Sequence, residues 1–377
     1  RDAGAAAGPL AALAWFDVAG AAVVYSVAGV LLFAAGAAVI KPAAMAHPKS
    51  QTGYRLGIVN PVTLVGNEIK TILRERAFPF AKVALLDASG QSAGALTEVE
   101  NEPVLVASVA QEGLDDLDLV FFCGPAESNR EWIARHAEDD FIAIDLSQPT
   151  TAEDGKLVVA GVNLEEIVQG DDVLVSPHPV AIPIALILHQ IATVSPIEIC
   201  TATVVQPASE FEQEGVEELA QQTISVLNIQ SVPKTIFDRQ LAFNLYPALE
   251  HNEEFIVSQV RALTDPRTQV ALLITQGTIF HGHTFSLFIK TREAVDEQRI
   301  RTALAANPAL VLQEGDQQFG TVDAAGKDEV LIAEVRPDPS IEGGFWVWAV
   351  CDNLRRSSAL NAVLLAEKVL FGAGALN

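Results

Sequence analysis

Cysteine, methionine and positive charge are all scarce in this chain of 377 residues. The three cysteines, Cys123, Cys200 and Cys351, lie far apart and in no CxxC spacing, so the sequence favours neither a zinc site nor a disulfide framework. A reducing cytoplasm is therefore the expected location. Lysine and arginine together number 24 against 48 aspartate and glutamate residues, and the formal net charge is −24. This charge repels polyanions, so we expect no nucleic-acid partner.

Residues 1–45 contain very few charged side chains. Val18–Ile40 has none and is longer than the about 20 apolar residues that span a bilayer. Lys41 on its far side would hold the rest of the chain in the cytoplasm. One hypothesis is therefore a membrane anchor. The other is upstream translation, because the run consists largely of alanine and glycine and the single methionine, Met45, comes shortly before the globular part.

Beyond residue 53, apolar runs alternate with amphipathic segments. Tyr54–Val59 predicts a strand, Asn60-Pro61 a turn, and Val65–Glu75 a helix with apolar residues at helical spacing. Strands alternating with helices at this spacing predict a parallel, doubly wound sheet. The further elements of this kind are Lys82–Asp87, Asp118–Cys123, Ser128–His136 and Phe141–Leu146.

The second half of the chain has a different pattern. Glu198–Gln206 predicts a strand, and Glu214–Leu227 predicts a helix rich in Glu and Gln. Several later strands alternate polar and apolar residues, as half-buried antiparallel strands do. A last helix, Leu360–Leu370, closes an α+β domain with a mainly antiparallel sheet. The alternating strands are Val270–Ile279, Thr284–Ile289, Val330–Arg336 and Phe345–Val350.

Four motifs in this order carry a resemblance to a known family. The longest is Phe345–Val363, which reads FWVWAVCDNLRRSSALNAV, and the others are Gly161–Asn163, Gly215–Thr223 and Phe243–Pro247. They resemble the aspartate-semialdehyde dehydrogenases, most of all the Usg-like non-catalytic paralogues of that family. The resemblance implies three parts after the N-terminal extension 1–45. These are a Rossmann-type nucleotide-binding domain at 54–177, a dimerisation and catalytic domain at 178–352, and a C-terminal helix at 353–377 that returns to the first domain.

The family's reaction, as the resemblance implies it, reduces an acyl phosphate through a thioester with NADPH. The thioester requires a cysteine in an Asn-Pro-Asn-Cys turn. The matching turn, Val175–Val180, reads VSPHPV, which places either His178 or Pro179 at the nucleophile position. Neither residue can form a thioester. An acyl group on His178 would hydrolyse readily, so we expect His178 to pack or to cap a helix.

The general base of the family is retained. Gly282-His283 matches its Gly-His pair, in which the imidazole accepts the thiol proton. Gln206 is retained as well, but the substrate-binding arginine is replaced by Gln276. His281 and His283 lie two residues apart on one face of a predicted strand without an evident third ligand, so we predict no metal site.

The phosphate and cofactor positions are weakened. No basic residue follows Asp145 before Lys156, and the loop that contains Ser92 lacks the family's arginine. The glycine-rich loop is replaced by NPVTLVG at Asn60–Gly66, in which only Gly66 of the family's glycines remains. Ser209 and Asn353 also occupy family positions that contact cofactor.

Two carboxylates lie where the family binds anions. The loop Gln206–Glu212 reads QPASEFE, and Glu210 and Glu212 would oppose a phosphorylated cofactor or substrate. We therefore expect no cofactor, with NADP as the cofactor if the chain is active.

Two functions follow from these residues. The first is a catalytically inactive dimeric pseudoenzyme, a homodimer or a heteromer with an active family member. The second is an active NADP-dependent semialdehyde dehydrogenase of amino-acid biosynthesis with a non-standard site that uses Cys123 or another of the three cysteines. A membrane partner enters only if the N-terminal segment is a genuine anchor.

Overall fold

The computed structural model describes residues 53–100, 102–135, 141–147, 155–248, 252–314 and 318–372. The N-terminal segment with Val18–Ile40 and Met45 lies outside these ranges, as do His136 and residues 148–151 of the predicted phosphate loop. Within the described ranges, no helix has the length and apolar character needed to span a bilayer.

Strands and helices alternate along the first half of the chain, as the sequence pattern predicts. The helices are α1 (Leu64–Glu75), α2 (Val109–Glu112) and α3 (Ala126–Ala134). The strands are β1 (Tyr54–Val59), β2 (Phe80–Asp87), β3 (Leu96–Val99), β4 (Glu102–Leu105), β5 (Ala107–Ser108), β6 (Leu119–Phe122), β7 (Ile142–Asp145), β8 (Lys156–Leu157) and β9 (Val173–Val175). Apart from the β3–β4 hairpin, these strands form one parallel sheet in the order β5-β2-β1-β6-β7-β9-β8. The predicted Rossmann-type sheet is therefore confirmed.

Strand β1 is apolar because both of its faces are covered. Leu56 and Ile58 are fully buried in a core shared with α1 and with the C-terminal helix α9 (Leu360–Phe371). Val59 belongs to the core on the other side of the sheet, together with Ile133 of α3. A strand of a parallel sheet that is covered on both faces reads as an apolar run, and Leu56–Val59 shows this after the exposed Arg55.

Helix α1 begins one residue before the predicted start. The Thr63 hydroxyl accepts a hydrogen bond from the Gly66 N–H at 3.1 Å and so caps the helix. Its buried side chains, Ile69, Ile72 and Leu73, recur at helical spacing. Gly66 is needed for close packing, because a Cβ there would lie 2.8 Å from the Asn60 carbonyl oxygen.

A second sheet dominates the second half of the chain. Its strands are β10 (Ile197–Gln206), β11 (Leu245–Pro247), β12 (Gln269–Gly277), β13 (His283–Thr291), β14 (Leu310–Leu312), β15 (Val330–Pro337) and β16 (Gly344–Cys351). They lie in the order β11-β12-β10-β13-β16-β15-β14. The β10–β12 and β14–β15 pairs are parallel and the remaining pairs are antiparallel, so the predicted mainly antiparallel sheet is confirmed.

Helices cover one face of this second sheet. Helix α4 (Ala181–Ala192) was not predicted, because Ala181–Leu188 is apolar and buried throughout and shows no amphipathic period. It packs with α6 (Glu253–Leu263) and α7 (Glu297–Ala305) on the inward side chains of β10, β12 and β13. The other helices are α5 (Glu212–Leu227), which begins two residues before its predicted start, and α8 (Thr321–Ala324).

Candidate functional site

A cleft of about 740 Å³ opens where β1, β2, β6 and β7 end. The carboxyl ends of parallel strands are the usual position for ligands in open α/β sheets. Three glutamates and no lysine or arginine are among its described lining residues. The polar and charged residues around it include Asn60, Thr63, Ser89, Gln91, Ser92, Ser147, His178, Glu210, Glu212, Glu214 and Asn252.

The turn between β9 and α4 contains the predicted nucleophile position. The backbone N–H of His178 donates to Gln259 Oε1 at 2.9 Å, and His178 Nδ1 accepts from the Val180 N–H at 3.1 Å. The Asn252 amide lies 3.3 Å from Nε2. Desolvation lowers the pKa of His178 to about 4, so the ring is neutral at pH 7. Because Nδ1 is an acceptor, the single ring proton lies on Nε2.

All three cysteines are buried side chains away from this turn. Cys123, Cys200 and Cys351 have no solvent-exposed surface. Burial raises the pKa of Cys123 strongly and the pKa values of Cys200 and Cys351 to about 12. The reactive thiolate form is therefore negligible at neutral pH at each position.

Three of the predicted site residues meet in one buried polar cluster, which contains His283, Ser209 and Asn353. The Asn353 side chain accepts from the Gly282 N–H at 2.8 Å and donates to Ser209 Oγ and to Glu210 Oε1, both at 3.1 Å. His283 Nε2 lies 3.3 Å from Glu210 Oε1. Burial, with a smaller contribution from His178, lowers the pKa of His283 to about 3, and the imidazole is neutral. A neutral imidazole has a lone pair that can accept a proton, but so low a pKa makes His283 a weak base at neutral pH.

The two glutamines of the predicted substrate site bind each other. Gln206 Nε2 donates to Gln276 Oε1 at 2.8 Å, and Gln276 Nε2 donates to the Gln206 carbonyl oxygen at 3.2 Å. The two residues are register neighbours at the ends of β10 and β12, and both are buried. The position at which the family resemblance implies an arginine thus carries a neutral side chain that is already paired.

His281 and His283 do not share an environment. His283 begins β13 and is buried, whereas His281 precedes the strand and is exposed. The interpretation of the two histidines as lying on one strand face was therefore wrong, because the Gly282 backbone, at a φ of +87°, turns the chain between them. Within the described ranges, no group of three His, Cys, Asp or Glu residues could hold a metal ion.

On the nucleotide-type side of the cleft, the carboxylate of Asp87 organises the loop after β2, a role that the sequence analysis missed. Its oxygens accept from the Ser89 N–H at 3.0 Å, the Ser92 N–H at 3.0 Å and the Ala93 N–H at 2.9 Å. Burial alone would raise the pKa of Asp87, but a hydrogen bond from the Ser89 hydroxyl at 2.6 Å and these backbone bonds hold it below its usual value. The signal was present, since Asp87 ends the second strand of a predicted βαβ unit. Ser92 thus contributes its N–H to this loop.

Asn60 replaces a glycine of the family pattern and joins three strand ends. Its φ is +56°, which non-glycine residues rarely adopt, although asparagine tolerates it best. Asn60 Nδ2 donates to the Cys123 carbonyl oxygen at 2.8 Å and to Asn129 Oδ1 at 3.1 Å, and Asn60 Oδ1 accepts from the Ala88 N–H at 3.1 Å. The side chain thereby connects the ends of β1, β2 and β6.

The N-terminus of α1 is in contact with a carboxylate. The Leu64 N–H donates to Glu212 Oε2 at 2.7 Å. Burial, the largest cause, and the nearby Glu214 raise the pKa of Glu212, against the lowering effect of this hydrogen bond. Glu212 also has a φ of +55°. We predicted that the acidic loop Gln206–Glu212 lies near an anion site, and its last residue contacts the first turn of α1 directly.

Two family models match the chain. "Semialdehyde dehydrogenase, NAD binding domain" matches residues 55–170, and "Semialdehyde dehydrogenase, dimerisation domain" matches residues 190–356. A USG-1 protein homolog of Azotobacter vinelandii is 30% identical over 327 residues, which cover 84% of this chain and 97% of that protein. Aspartate-semialdehyde dehydrogenase 2 of Vibrio cholerae is 28% identical over 327 residues, or 83% of this chain and 97% of that enzyme.

Solved structures show the same fold. The structure of a probable aspartate-semialdehyde dehydrogenase from Pseudomonas aeruginosa is 28% identical and covers 85% of this chain and 99% of its own, with a TM-score of 0.81. The structure of aspartate semialdehyde dehydrogenase II from Vibrio cholerae complexed with ASA is 27% identical, with the same coverage and a TM-score of 0.80.

Proposed function

Because this chain belongs to the semialdehyde dehydrogenase family, we propose that it is a dimeric homologue that has lost the family's catalytic activity. The observation that carries the proposal is the turn after β9, in which His178 and Pro179 stand and no sulfur is present. The three cysteines of the chain are buried with raised pKa values, so none of them supplies a thiolate.

The imidazole of His178 is a poor substitute for a thiolate. A neutral ring has one nitrogen lone pair available for attack. In His178 this lone pair is on Nδ1 and already accepts the Val180 N–H at the start of α4. Attack on an acyl group would require that hydrogen bond to break. The contacts support a structural role for His178 in the turn that precedes α4 instead.

The retained base has no nucleophile to activate. His283 is neutral and buried beside Glu210, but its role in the family is to accept a thiol proton. The substrate side is weakened as well, because Gln206 and Gln276 pair with each other and neither carries a positive charge for a carboxylate. These contacts support a scaffold or partner protein that has kept the fold of an enzyme.

The chain contains the family's dimerisation domain, and we propose that it forms a homodimer through the open face of its second sheet. Two cross-strand rows lie on that face, opposite the helices: Ala271, Thr201, Phe288 and Trp346 in one, and Leu273, Thr203, Ser286 and Trp348 in the other. Leu273 is 52% exposed, a large exposure for an apolar side chain in a sheet. A heteromer with an active family member would use the same face. The scarcity of cysteine supports a cytoplasmic location.

The test of the proposed function is a turnover assay on the purified chain. Phosphate-dependent oxidation of aspartate semialdehyde with NADP should proceed no faster than in a protein-free control. Turnover at the roughly 1–1,000 s⁻¹ of typical enzymes would overturn the proposal. The variants Cys123→Ala and Cys351→Ala would then show whether a buried thiol becomes accessible, as the alternative of an active enzyme with a non-standard site requires.

A further inference from the structure

The first turn of α1 is an anion-binding position by its geometry. Helix α1 has 12 residues and follows the first strand of the parallel sheet directly. Its unpaired N–H groups and helix dipole attract negative charge, and dinucleotide-binding folds use this turn for a pyrophosphate. The Gly66 N–H donates to the Thr63 hydroxyl, and the Leu64 N–H donates to the Glu212 carboxylate.

A loop that is hydrogen-bonded to the rest of the chain at several residues holds the Glu212 carboxylate at this turn. The Ala208 and Ser209 N–H groups donate to the Ile279 and Phe280 carbonyl oxygens at 2.7 and 3.0 Å. Glu210, in the middle of the loop, accepts from Asn353. The loop is thus anchored to the second sheet and to the Asp-Asn-Leu-Arg segment, and its last residue reaches α1 from 148 residues away.

This arrangement is unfavourable for the glutamate itself. Glu212 has a positive φ that suits glycine, and its carboxylate is removed from water beside Glu214. The described residues that line the cleft include no lysine or arginine to offset the charge. The Leu64 N–H and the dipole of α1 favour an ionised side chain here.

We propose that Glu212 is an internal competitor that occupies the pyrophosphate position at the N-terminus of α1 and keeps phosphorylated ligands out of the cleft. The inference rests on the proposed function, because an active dehydrogenase would need this position for its cofactor. In this proposal the loop of residues 208–212 connects the second sheet to α1 and holds the Glu212 carboxylate in place; we call this loop and its exclusion of phosphorylated ligands the latch. The ligand class excluded is a pyrophosphate group, whether free or in a dinucleotide.

The experiment is a calorimetric titration of the full chain with inorganic pyrophosphate at low salt. Glu212→Gly removes the competitor and fits the positive φ, so it should fold and bind pyrophosphate at least tenfold more tightly than the wild type does. Glu214→Gln is the matched control, since it removes one charge from the same cleft without touching α1. Its affinity should stay within about threefold of the wild type.

Glu212→Gln provides a second route if the glycine variant does not fold, as judged by circular dichroism. Its amide oxygen can still accept from the Leu64 N–H, but without a charge, so we expect pyrophosphate binding between those of the wild type and the glycine variant. Equal affinities of the wild type and a folded Glu212 variant would overturn the inference. So would an equal gain from Glu214→Gln, because general charge repulsion would then explain it.

The two proposals fail separately. A wild-type chain that binds NADPH tightly but shows no turnover would refute the latch and leave the loss of catalysis standing. A wild-type chain that turns over aspartate semialdehyde would refute the loss of catalysis, and the latch with it. A Glu212→Gly variant that gains pyrophosphate binding without any turnover is the result that both proposals predict.

Discussion

At the scale of single residues, the cleft is lined by side chains that bind to other parts of the chain. Asn60 connects three strand ends, and the Asp87 carboxylate accepts backbone N–H groups of the loop that follows it. Glu212 accepts the Leu64 N–H in the first turn of α1. In each case a backbone donor or acceptor that could serve a ligand is already satisfied within the chain. Buried polar groups that are paired in this way hold a structure rigid, so the cleft has the character of a stabilised scaffold.

Replacing Asn60 tests the residue that joins β1, β2 and β6. Asn60→Ala should lower the free energy of unfolding by about 2–4 kcal/mol, because it removes three buried hydrogen bonds and leaves a non-glycine residue at positive φ. Asn60→Gly removes the same bonds without the strain and should cost about 1 kcal/mol less. Urea unfolding of the three proteins measures both differences. Equal losses for the two variants would contradict the role of strain.

The raised pKa of Glu212 predicts a specific pH dependence. A carboxyl whose pKa is higher in the folded chain than in the unfolded chain stabilises the fold fully below its unfolded pKa of about 4.3, and this contribution is lost as pH rises through the folded pKa. The wild type should therefore lose stability relative to Glu212→Gln between pH 4 and pH 7. The measurement is denaturant unfolding of both proteins across this range. The difference between their free energies of unfolding cancels the contributions of the other titrating groups, which the two proteins share. A difference that stays constant with pH would count against the raised pKa.

At the scale of elements, one arginine ties α1 to the C-terminal motif. Arg355 lies in a short π-helical segment, Arg355–Ala359, directly before α9. Its guanidinium binds Glu68 at 2.8 Å and Glu75 at 2.6 Å, both on α1, and Asp328 at 2.5 Å before β15. The Arg355 side chain is only 13% exposed, whereas Glu75 and Asp328 are 47% and 44% exposed, so water partly screens the network.

Removal of this arginine should be costly. Arg355→Ala leaves three carboxylates close together without a cation, and we expect a loss of about 2–3 kcal/mol in the free energy of unfolding at low salt and pH 7. Glu75→Gln is the matched control, because Glu75 is 47% exposed and its loss should cost under about 1 kcal/mol. The loss in Arg355→Ala should shrink in high salt, where like charges are screened. Equal effects of the two variants would argue against a network.

At the scale of the whole molecule, the two sheets differ in how many of their faces are covered. The parallel sheet is covered on both faces, whereas the second sheet carries helices on one face and leaves Leu273 and its row open. An open sheet face with aromatic and aliphatic side chains is suited to a second copy, and a symmetric dimer is the most common assembly. The division of the chain at residues 177 and 352 stays a prediction.

A charge on the open face should prevent dimerisation. Leu273→Glu places a carboxylate on the proposed apolar interface, where burying an unpaired charge is costly, so sedimentation should show a monomer at concentrations at which the wild type is a dimer. Leu227→Glu is the control, since Leu227 is 70% exposed at the end of α5 and belongs to neither of the two cross-strand rows. A dimer that survives in Leu273→Glu, or dissociates in both variants, would contradict the proposed face.

Much of the fold follows from local patterns. Apolar runs predicted the buried parallel strands, and the alternation of polar and apolar residues predicted the half-buried strands of the second sheet. The Asp-Asn-Leu-Arg segment indicated the family. Helix α4 escaped this reasoning because a helix buried on all sides has no amphipathic period. The absence of a sulfur atom at His178 and Pro179 also followed from the sequence, because the identity of a residue alone determines which atoms its side chain contains.

Only the tertiary structure decided how the remaining side chains are paired. Nothing local to Glu212 predicts a hydrogen bond to Leu64, and Gln206 and Gln276 meet only because β10 and β12 are neighbours in register. Likewise, the backbone turn at Gly282 buries His283 and exposes His281. The physical reason is that strand and helix preferences depend on neighbours along the chain, whereas burial, charge pairing and the satisfaction of polar groups depend on residues that the fold brings together.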